Sequence, residues 1–172
     1  MNAKTPDDLL NTNNSKTTWK DPKRYLWLLS PAVPVIGIAA LSAYAVAPKR
    51  LRALAWVGPA LVHGVIPAID RLIGEDKSNP PVSAVQQLEN DKYYGRIVKA
   101  FIPAQYAVTF LGAWLASRKN TPMIDRVGLT FSVGAMNGIA INTAHELGHK
   151  HDKTDRLLAM LALAPTGYTH FA

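Results

Sequence analysis

The chain has 172 residues, of which 18% are charged, and a formal net charge of +7. It contains no cysteine, which excludes a thiolate-ligated iron or zinc site made by this chain alone. The basic residues flank apolar runs and do not form a basic patch interleaved with aromatic residues, so we expect no nucleic-acid partner. Long uncharged runs separated by short charged stretches are instead typical of membrane proteins.

The chain begins with a polar segment and continues with four long apolar runs. Residues 1–24 lack the apolar stretch of a signal peptide and predict a flexible cytoplasmic tail. Each apolar run is long enough for a helix that crosses a bilayer, which needs about 20 residues. The predicted spans are 25–47, 53–69, 100–117 and 127–144. The pairs Asp21-Pro22 and Thr121-Pro122 predict a cap and a first helical proline for the first and fourth spans.

A longer polar stretch, residues 70–99, separates the second and third spans. Its segment 74–81 predicts an extended turn, because residues that precede proline avoid the helical region. Ser83 and Gln86 have the spacing of a capping box and predict a short helix that continues towards Tyr93-Tyr94.

A fifth apolar run, residues 157–164, is too short to cross a bilayer and is interrupted by Pro165-Thr166-Gly167. It predicts the start of a re-entrant or interfacial segment. We therefore predict an all-α integral membrane fold, with a bundle of four spanning helices and part of a fifth segment. We also expect the membrane domain, residues 25–172, to be truncated at its C-terminus.

The distribution of positive charge predicts the orientation of this bundle. If the N-terminus is cytoplasmic, 13 of the 19 lysines and arginines lie on the inner side of the membrane. Because cytoplasmic segments carry the excess of positive charge, we expect this topology. It places the end of the fourth span, at His145, on the cytoplasmic face.

The motif His145-Glu146-Leu147-Gly148-His149 carries the clearest chemistry. Helical residues four apart share a face, with Cβ atoms about 5–6 Å apart, so two imidazoles can converge on one metal ion or on neighbouring ions. The simpler interpretation is a polar end to a span, but ionisable residues within or at the end of spanning helices usually serve a site. The motif also fits a membrane-embedded zinc peptidase with Glu146 as general base.

In its surroundings the motif resembles the first histidine box of the integral-membrane alkane hydroxylases. Further stretches resemble that family in the same order, from about Lys23 to the last residue. The matching stretches are Lys23-Arg24-Tyr25-Leu26-Trp27, Asp70, Gly74-Glu75-Asp76, Asn79-Pro80-Pro81, Tyr93-Tyr94, Asn137-Gly138, Asn142-Thr143-Ala144-His145-Glu146-Leu147-Gly148-His149-Lys150 and Gly167-Tyr168-Thr169-His170-Phe171.

This resemblance implies a specific chemistry. The family has six spans in the cytoplasmic (inner) membrane and two non-haem iron ions held by histidines. It uses O2 to hydroxylate the terminal methyl group of medium-chain n-alkanes, with electrons from rubredoxin. By position, His145 and His149 are expected iron ligands, and His170, just ahead of the second box, a supporting residue. Two histidines cannot hold two irons, so we expect this chain alone to be inactive.

Residues near the motif are candidates for orienting the imidazoles and for lining a substrate channel. Glu146 and Asn142 could hydrogen-bond the imidazoles, although for Asn142 a bond between helices is an equal alternative. Burial contributes about 0.8 kcal/mol per CH2 group of an alkane, which favours a channel between helices that opens to the bilayer. The candidates for its wall are Gly134, Gly138, Ile139 and Val62.

Some interpretations stay open at this point. Glycines four apart also permit close helix packing. We interpret His63, alone in the second span, as a hydrogen-bonded packing residue, and His151 as a solvated one. Besides the zinc peptidase, a catalytically idle scaffold and a histidine-box desaturase are alternatives, and the metal content of the intact protein separates iron, zinc and no metal.

Overall fold

The computed structural model describes residues 19–75, 79–150 and 152–171. All regular structure within these ranges is helical. There are six main helices, α1 (Arg24–Val46), α2 (Arg52–Ile73), α3 (Val82–Asn90), α4 (Lys92–Ser117), α5 (Met123–Gly148) and α6 (Lys153–Leu163). Helices α1 and α2 begin with a 3-10 turn, and α2 widens to a π-helix over Ala60–Val65. The predicted all-α membrane fold is confirmed.

Three helices, α1, α2 and α4, are long and apolar enough to cross a membrane in the part of the chain that the structure describes. The fourth predicted span corresponds to α5, which has 26 residues and is therefore long enough. Its hydropathy is reduced because Asn137 and Asn142 interrupt the apolar run. The number of spans therefore stays a prediction.

The helix that contains the predicted third span is longer than the apolar run, because α4 begins at Lys92 rather than near residue 100. The cause is Asp91, whose carboxylate accepts a hydrogen bond of 2.8 Å from the backbone N–H of Tyr93 and caps the helix. Tyr93-Tyr94 therefore belongs to α4 and not to the short helix before it. The second span also extends past its predicted end, and stops where Gly74 takes a positive φ of 74°.

The predicted cap residues do not occupy the N-cap positions, and at α1 this position is Lys23 rather than Asp21. The capping box was wrong, since Ser83 lies inside α3 and Pro81 occupies the N-cap position without a side-chain bond. Pro122, not Thr121, precedes the first residue of α5. The Thr121 hydroxyl instead donates to the Leu115 carbonyl at 2.8 Å and fixes the tight turn between α4 and α5.

The described end of the N-terminal segment is held against α3 and α4. The Trp19 backbone and the Gln87 side-chain amide exchange two hydrogen bonds, of 3.1 and 2.9 Å. The Arg24 guanidinium pairs with Asp91 and lies 3.9 Å from the centre of the Tyr93 ring. The hydrogen bond from Arg24, together with the Tyr93 N–H, lowers the pKa of the Asp91 carboxyl. Residues 1–18 of the predicted tail lie outside the described residues.

Helix α5 packs against α2, α4 and α6, and α1 packs against α4. Two apolar clusters form the core. One contains Leu41, Tyr44, Ala55, Val108, Leu115, Leu129 and Met136, and the other contains Val98, Ile102, Ala144, Leu147, Ala159, Ala162 and Leu163. The second cluster lies behind the C-terminal turns of α5, where the histidine motif is located.

Contact between α2 and α5 depends on Gly58 and Ser132. A Cβ atom at Gly58 would lie 2.4 Å from the Ser132 Cα, so only glycine fits there. The Ser132 hydroxyl donates to the Ala55 carbonyl at 2.7 Å and accepts from the Gly58 N–H at 3.0 Å. Pro59 has no N–H for the Ala55 carbonyl four residues earlier. Ser132 therefore replaces a hydrogen bond that α2 cannot make.

Helix α6 is the predicted short fifth segment, and it begins at Lys153, earlier than the apolar run. The Asp152 carboxylate caps it by accepting from the Thr154 N–H at 3.2 Å. Its 11 residues are too few to cross a bilayer. An ion pair of 2.6 Å between Lys99 and the buried Asp155 fastens α6 to α4.

A buried polar network joins α4, α5 and α6. The amide nitrogen of Gln105, which is fully buried, donates to the Asn137 side-chain oxygen at 2.9 Å and to the Ala162 carbonyl at 2.8 Å. The Thr109 hydroxyl lies 3.2 Å from the same Asn137 oxygen. Among the described residues the Gln105 side-chain oxygen has no hydrogen-bond partner, so the bonds of its amide nitrogen are what link the three helices.

Candidate metal centre

The imidazoles of His145 and His149 lie together at the C-terminal end of α5. Their Nε2 atoms are 3.1 Å apart, and the two rings meet edge to face with centroids 4.4 Å apart. Both residues are exposed. The helical backbone continues to His149, which has φ of −76° and ψ of −10°, so the i,i+4 spacing brings both rings to one face.

The two imidazoles border a cavity of about 600 Å³, which we call the histidine cavity. Its other lining residues are Ile141, Ala144, Gly148, Leu163 and Tyr168. The chain reaches Tyr168 through Gly167, whose φ of 76° reverses its direction after α6. The His170 ring stacks on Tyr168 with centroids 6.1 Å apart. The stretch around His170 is thus brought to the side of the histidine pair.

The pair meets the distance requirement for binding one ion. Imidazole nitrogens bind Zn²⁺ at about 2.1 Å, so two that share an ion of this size must lie within about 4.2 Å of each other. The observed 3.1 Å satisfies this limit. Imidazole suits iron, zinc, copper and nickel alike, so the donor type alone does not identify the metal.

The pair is also an incomplete set of ligands. Among the described residues, no group of three or more histidine, cysteine, aspartate or glutamate side chains could hold a metal ion. A centre with two metal ions therefore needs ligands in addition to the two that these helices bring together.

Glu146 and Asn142 lie apart from the histidine cavity. The Glu146 carboxylate is half exposed and lies 3.9 Å from the Lys150 ammonium. Both residues line other cavities, and within the described ranges no hydrogen bond joins either side chain to the two imidazoles. A general base of a metallopeptidase must reach the metal-bound water, and this placement does not favour that role for Glu146.

The four residues predicted to line a channel share one cavity of about 530 Å³ between α2 and α5, which we call the α2/α5 groove. Val62, Gly134, Gly138 and Ile139 all line it. A Cβ atom at Gly134 or Gly138 would meet nothing within 4 Å. Within the described part of the chain, these glycines leave open space and do not serve close helix packing.

The groove and the histidine pair share a face of α5. Gly138 precedes His145 by seven residues, which is two helical turns or about 10 Å along the axis. His63 also lines the groove, although the sequence suggested a packing role. The only indication in the sequence was that His63 is a polar residue within an apolar span, and this does not reveal which way its side chain points.

The fold and the histidine pair define a helical membrane protein with a candidate metal site at one end of its central helix. No family model matches the chain. It is 53% identical over 152 residues to the alkane 1-monooxygenase of Acinetobacter baylyi, covering 88% of this chain and 37% of that relative. It is 41% identical over 156 residues to alkane 1-monooxygenase 1 of Alcanivorax borkumensis, covering 88% of this chain and 37% of the relative. For the alkane 1-monooxygenase of Pseudomonas putida, the identity is 37% over 163 residues, 92% of this chain and 39% of the relative.

The chain therefore belongs to the alkane 1-monooxygenase family. It spans between 37% and 39% of the length of these curated relatives. The resemblance found from the histidine motif and its flanking stretches is thus confirmed.

Proposed function

We propose that the chain supplies His145 and His149 to a non-haem di-iron centre in a membrane monooxygenase. This enzyme hydroxylates the terminal methyl group of medium-chain n-alkanes, using O2 and electrons from rubredoxin. The observation that carries the proposal is the 3.1 Å approach of the two Nε2 atoms in a chain 53% identical to an alkane 1-monooxygenase. Since two imidazoles are too few for two irons, we expect no activity from these 172 residues alone.

The iron ions, when bound, supply the one-electron chemistry that O2 activation and the breaking of an unactivated C–H bond require. The contribution of this chain is to hold and orient ligands. Helix α5 carries both imidazoles, and the Gln105–Asn137 bond and the α6 contacts keep its C-terminal half in place. Leu163 and Tyr168 form the part of the wall of the histidine cavity that α6 and the segment after it supply.

The α2/α5 groove suits an alkane, which offers no polar group for recognition. Burial of its chain contributes about 0.8 kcal/mol per CH2 group. Gly134 and Gly138 leave room on the face of α5 that leads to His145, and Ile139 narrows the groove. A chain that lies along this groove directs one methyl end towards the histidine pair.

The distribution of positive charge supports an orientation in the membrane. The protein lies in the inner membrane, with its N-terminus and the histidine pair on the cytoplasmic side. In this orientation 13 of the 19 lysines and arginines are cytoplasmic, as the excess of positive charge in cytoplasmic segments requires. This position lets a soluble electron carrier such as rubredoxin approach the iron. The zinc-peptidase alternative lacks support, since Glu146 lines two other cavities and does not line the histidine cavity.

Metal analysis of the intact membrane protein tests the proposal. We expect about two irons per chain, and a large loss of iron in His145→Ala and in His149→Ala. His63→Ala is the matched control for removal of a histidine, and it should retain the iron. Zinc at one per chain, or an iron content that neither His145→Ala nor His149→Ala lowers, would contradict the proposal.

A further inference from the structure

A second apolar cavity, of about 590 Å³, lies between α1, α2, α4 and α5, and we call it the four-helix cavity. Aliphatic side chains such as Val33 and Ile97 form most of its wall. Asn142, Thr143 and Glu146 form a polar end on α5 within little more than one turn, and one further hydroxyl, that of Ser30, comes from α1. A volume of this size is typical of small-molecule sites.

The four-helix cavity adjoins two others through shared lining residues. Ile139 and Asn142 line both this cavity and the α2/α5 groove. Trp27 and Glu146 line both this cavity and a third one of about 550 Å³, the surface cavity. The surface cavity is lined by charged residues, among them Asp21, Lys23 and Glu89. The three cavities therefore form a series that changes from apolar to charged.

The chemistry of the four-helix cavity differs from that of a site for a pure hydrocarbon. An alkane placed there would leave the hydroxyl of Thr143, which is buried and does not line the α2/α5 groove, without a partner in the ligand. A primary alkanol has the same aliphatic chain and one hydroxyl that can both donate and accept a hydrogen bond. Its chain matches the aliphatic wall, and its hydroxyl matches the polar end on α5.

We propose that the four-helix cavity binds a medium-chain primary alkanol, with its hydroxyl at Asn142 and Thr143. The alkanol leaves through the surface cavity past Trp27 and Glu146. This inference rests on the proposed function, because the alkanol is the product of terminal hydroxylation. The boundary shared with the groove, at Ile139 and Asn142, lets the product move from the substrate position without crossing the bilayer interior.

The first test is a binding measurement that needs neither iron nor turnover, so its failure is distinct from failure of the proposed function. The probe is 2-bromo-1-undecanol, whose bromine lies next to the hydroxyl and quenches nearby tryptophan fluorescence, added to the intact protein in phospholipid nanodiscs. The share of the signal due to Trp27 is the difference from a Trp27→Phe variant. We expect saturable quenching of Trp27 at about tenfold lower concentration than with 2-bromoundecane, as expected for one well-paired hydroxyl.

Substitutions then assign the probe to the cavity. Val33→Phe fills part of its wall without adding another tryptophan, and Val35→Phe is the matched control on the same helix, since Val35 is 54% exposed and does not line this cavity. We expect Val33→Phe to weaken the binding of the bromoalkanol by about tenfold and Val35→Phe to leave it nearly unchanged. Thr143→Val should remove most of the preference for the alkanol over the bromoalkane.

Three outcomes would overturn the inference. Equal quenching by bromoalkanol and bromoalkane would show that the polar end recognises no hydroxyl. Equal effects of Val33→Phe and Val35→Phe would place the probe elsewhere. Quenching of Trp27 by a dibromostearoyl phosphatidylcholine that 1-undecanol does not displace would identify membrane lipid as the occupant.

Discussion

Arg52 donates two hydrogen bonds, of 3.1 and 2.9 Å, to one carboxylate oxygen of Asp125, which is only 2% exposed. The Tyr44 hydroxyl donates to the other oxygen at 3.0 Å. The first turn of α5 is therefore fastened to the C-terminal part of α1 and to the first turn of α2. Since α5 carries both histidines at its other end, this attachment helps to set where they lie.

We expect Asp125→Asn to lower the free energy of unfolding by about 2 kcal/mol, because hydrogen bonds to a charged group contribute about 1.5–3 kcal/mol. Arg52 is half exposed, so water compensates part of the loss. Thermal unfolding of the detergent-solubilised protein measures the change. Asp70→Asn, at an exposed position of α2, is the control and should have little effect. Equal stability of both variants would mean that the Asp125 contacts contribute nothing.

Gly58 and Gly64 offer a second comparison within α2. Gly58→Ala would place its Cβ atom against the backbone of Ser132, which cannot move cheaply, and we expect a destabilisation of about 1–3 kcal/mol. A Cβ atom at Gly64 meets nothing within 4 Å, so Gly64→Ala should be neutral or stabilise by up to about 1 kcal/mol through helix propensity. Denaturation of the two variants under identical conditions measures the difference. A stable Gly58→Ala protein would contradict the close contact between α2 and α5.

The sequence predicted the helices themselves well, because uncharged runs of sufficient length can satisfy their backbone only as helices in a bilayer. Their ends were less predictable. Asp91 starts α4 by capping, within a polar stretch whose composition suggested a loop. Ser83 has the spacing of a cap, but Pro81 starts α3 before it. Competition between neighbouring residues that could each cap the helix decides where such a helix begins. The hydropathy of the sequence does not show which residue becomes the cap.

The meeting of the two imidazoles follows from helical spacing alone, since residues four apart share a face. The direction of Glu146 does not, because it depends on where α1 and α4 pack around α5. The same holds for Tyr168, which reaches the histidine cavity only through the turn at Gly167. These features depend on tertiary contacts between distant parts of the chain.

The Gln105 amide tests whether the buried network positions α6. Gln105→Leu has a similar volume, but it leaves the Ala162 carbonyl without its donor, and we expect a loss of about 1–3 kcal/mol of stability. Because Leu163 lines the histidine cavity, we also expect weaker iron retention in the intact protein during dialysis against a chelator. Gln86→Leu, at an exposed position of α3, is the matched control. Unchanged stability and unchanged iron loss in Gln105→Leu would exclude a positioning role.

The α2/α5 groove yields a prediction about substrate length in the intact enzyme. Ile139→Trp places a large ring in the groove about two turns from His145, so the longest n-alkane accepted should become shorter, while short alkanes are still hydroxylated. Product analysis by gas chromatography over a series of alkanes measures the profile. Ile124→Trp is the control on the same helix, because Ile124 is 55% exposed and lines none of the cavities described above. An identical length profile for the wild type and Ile139→Trp would show that the alkane does not lie along this face of α5.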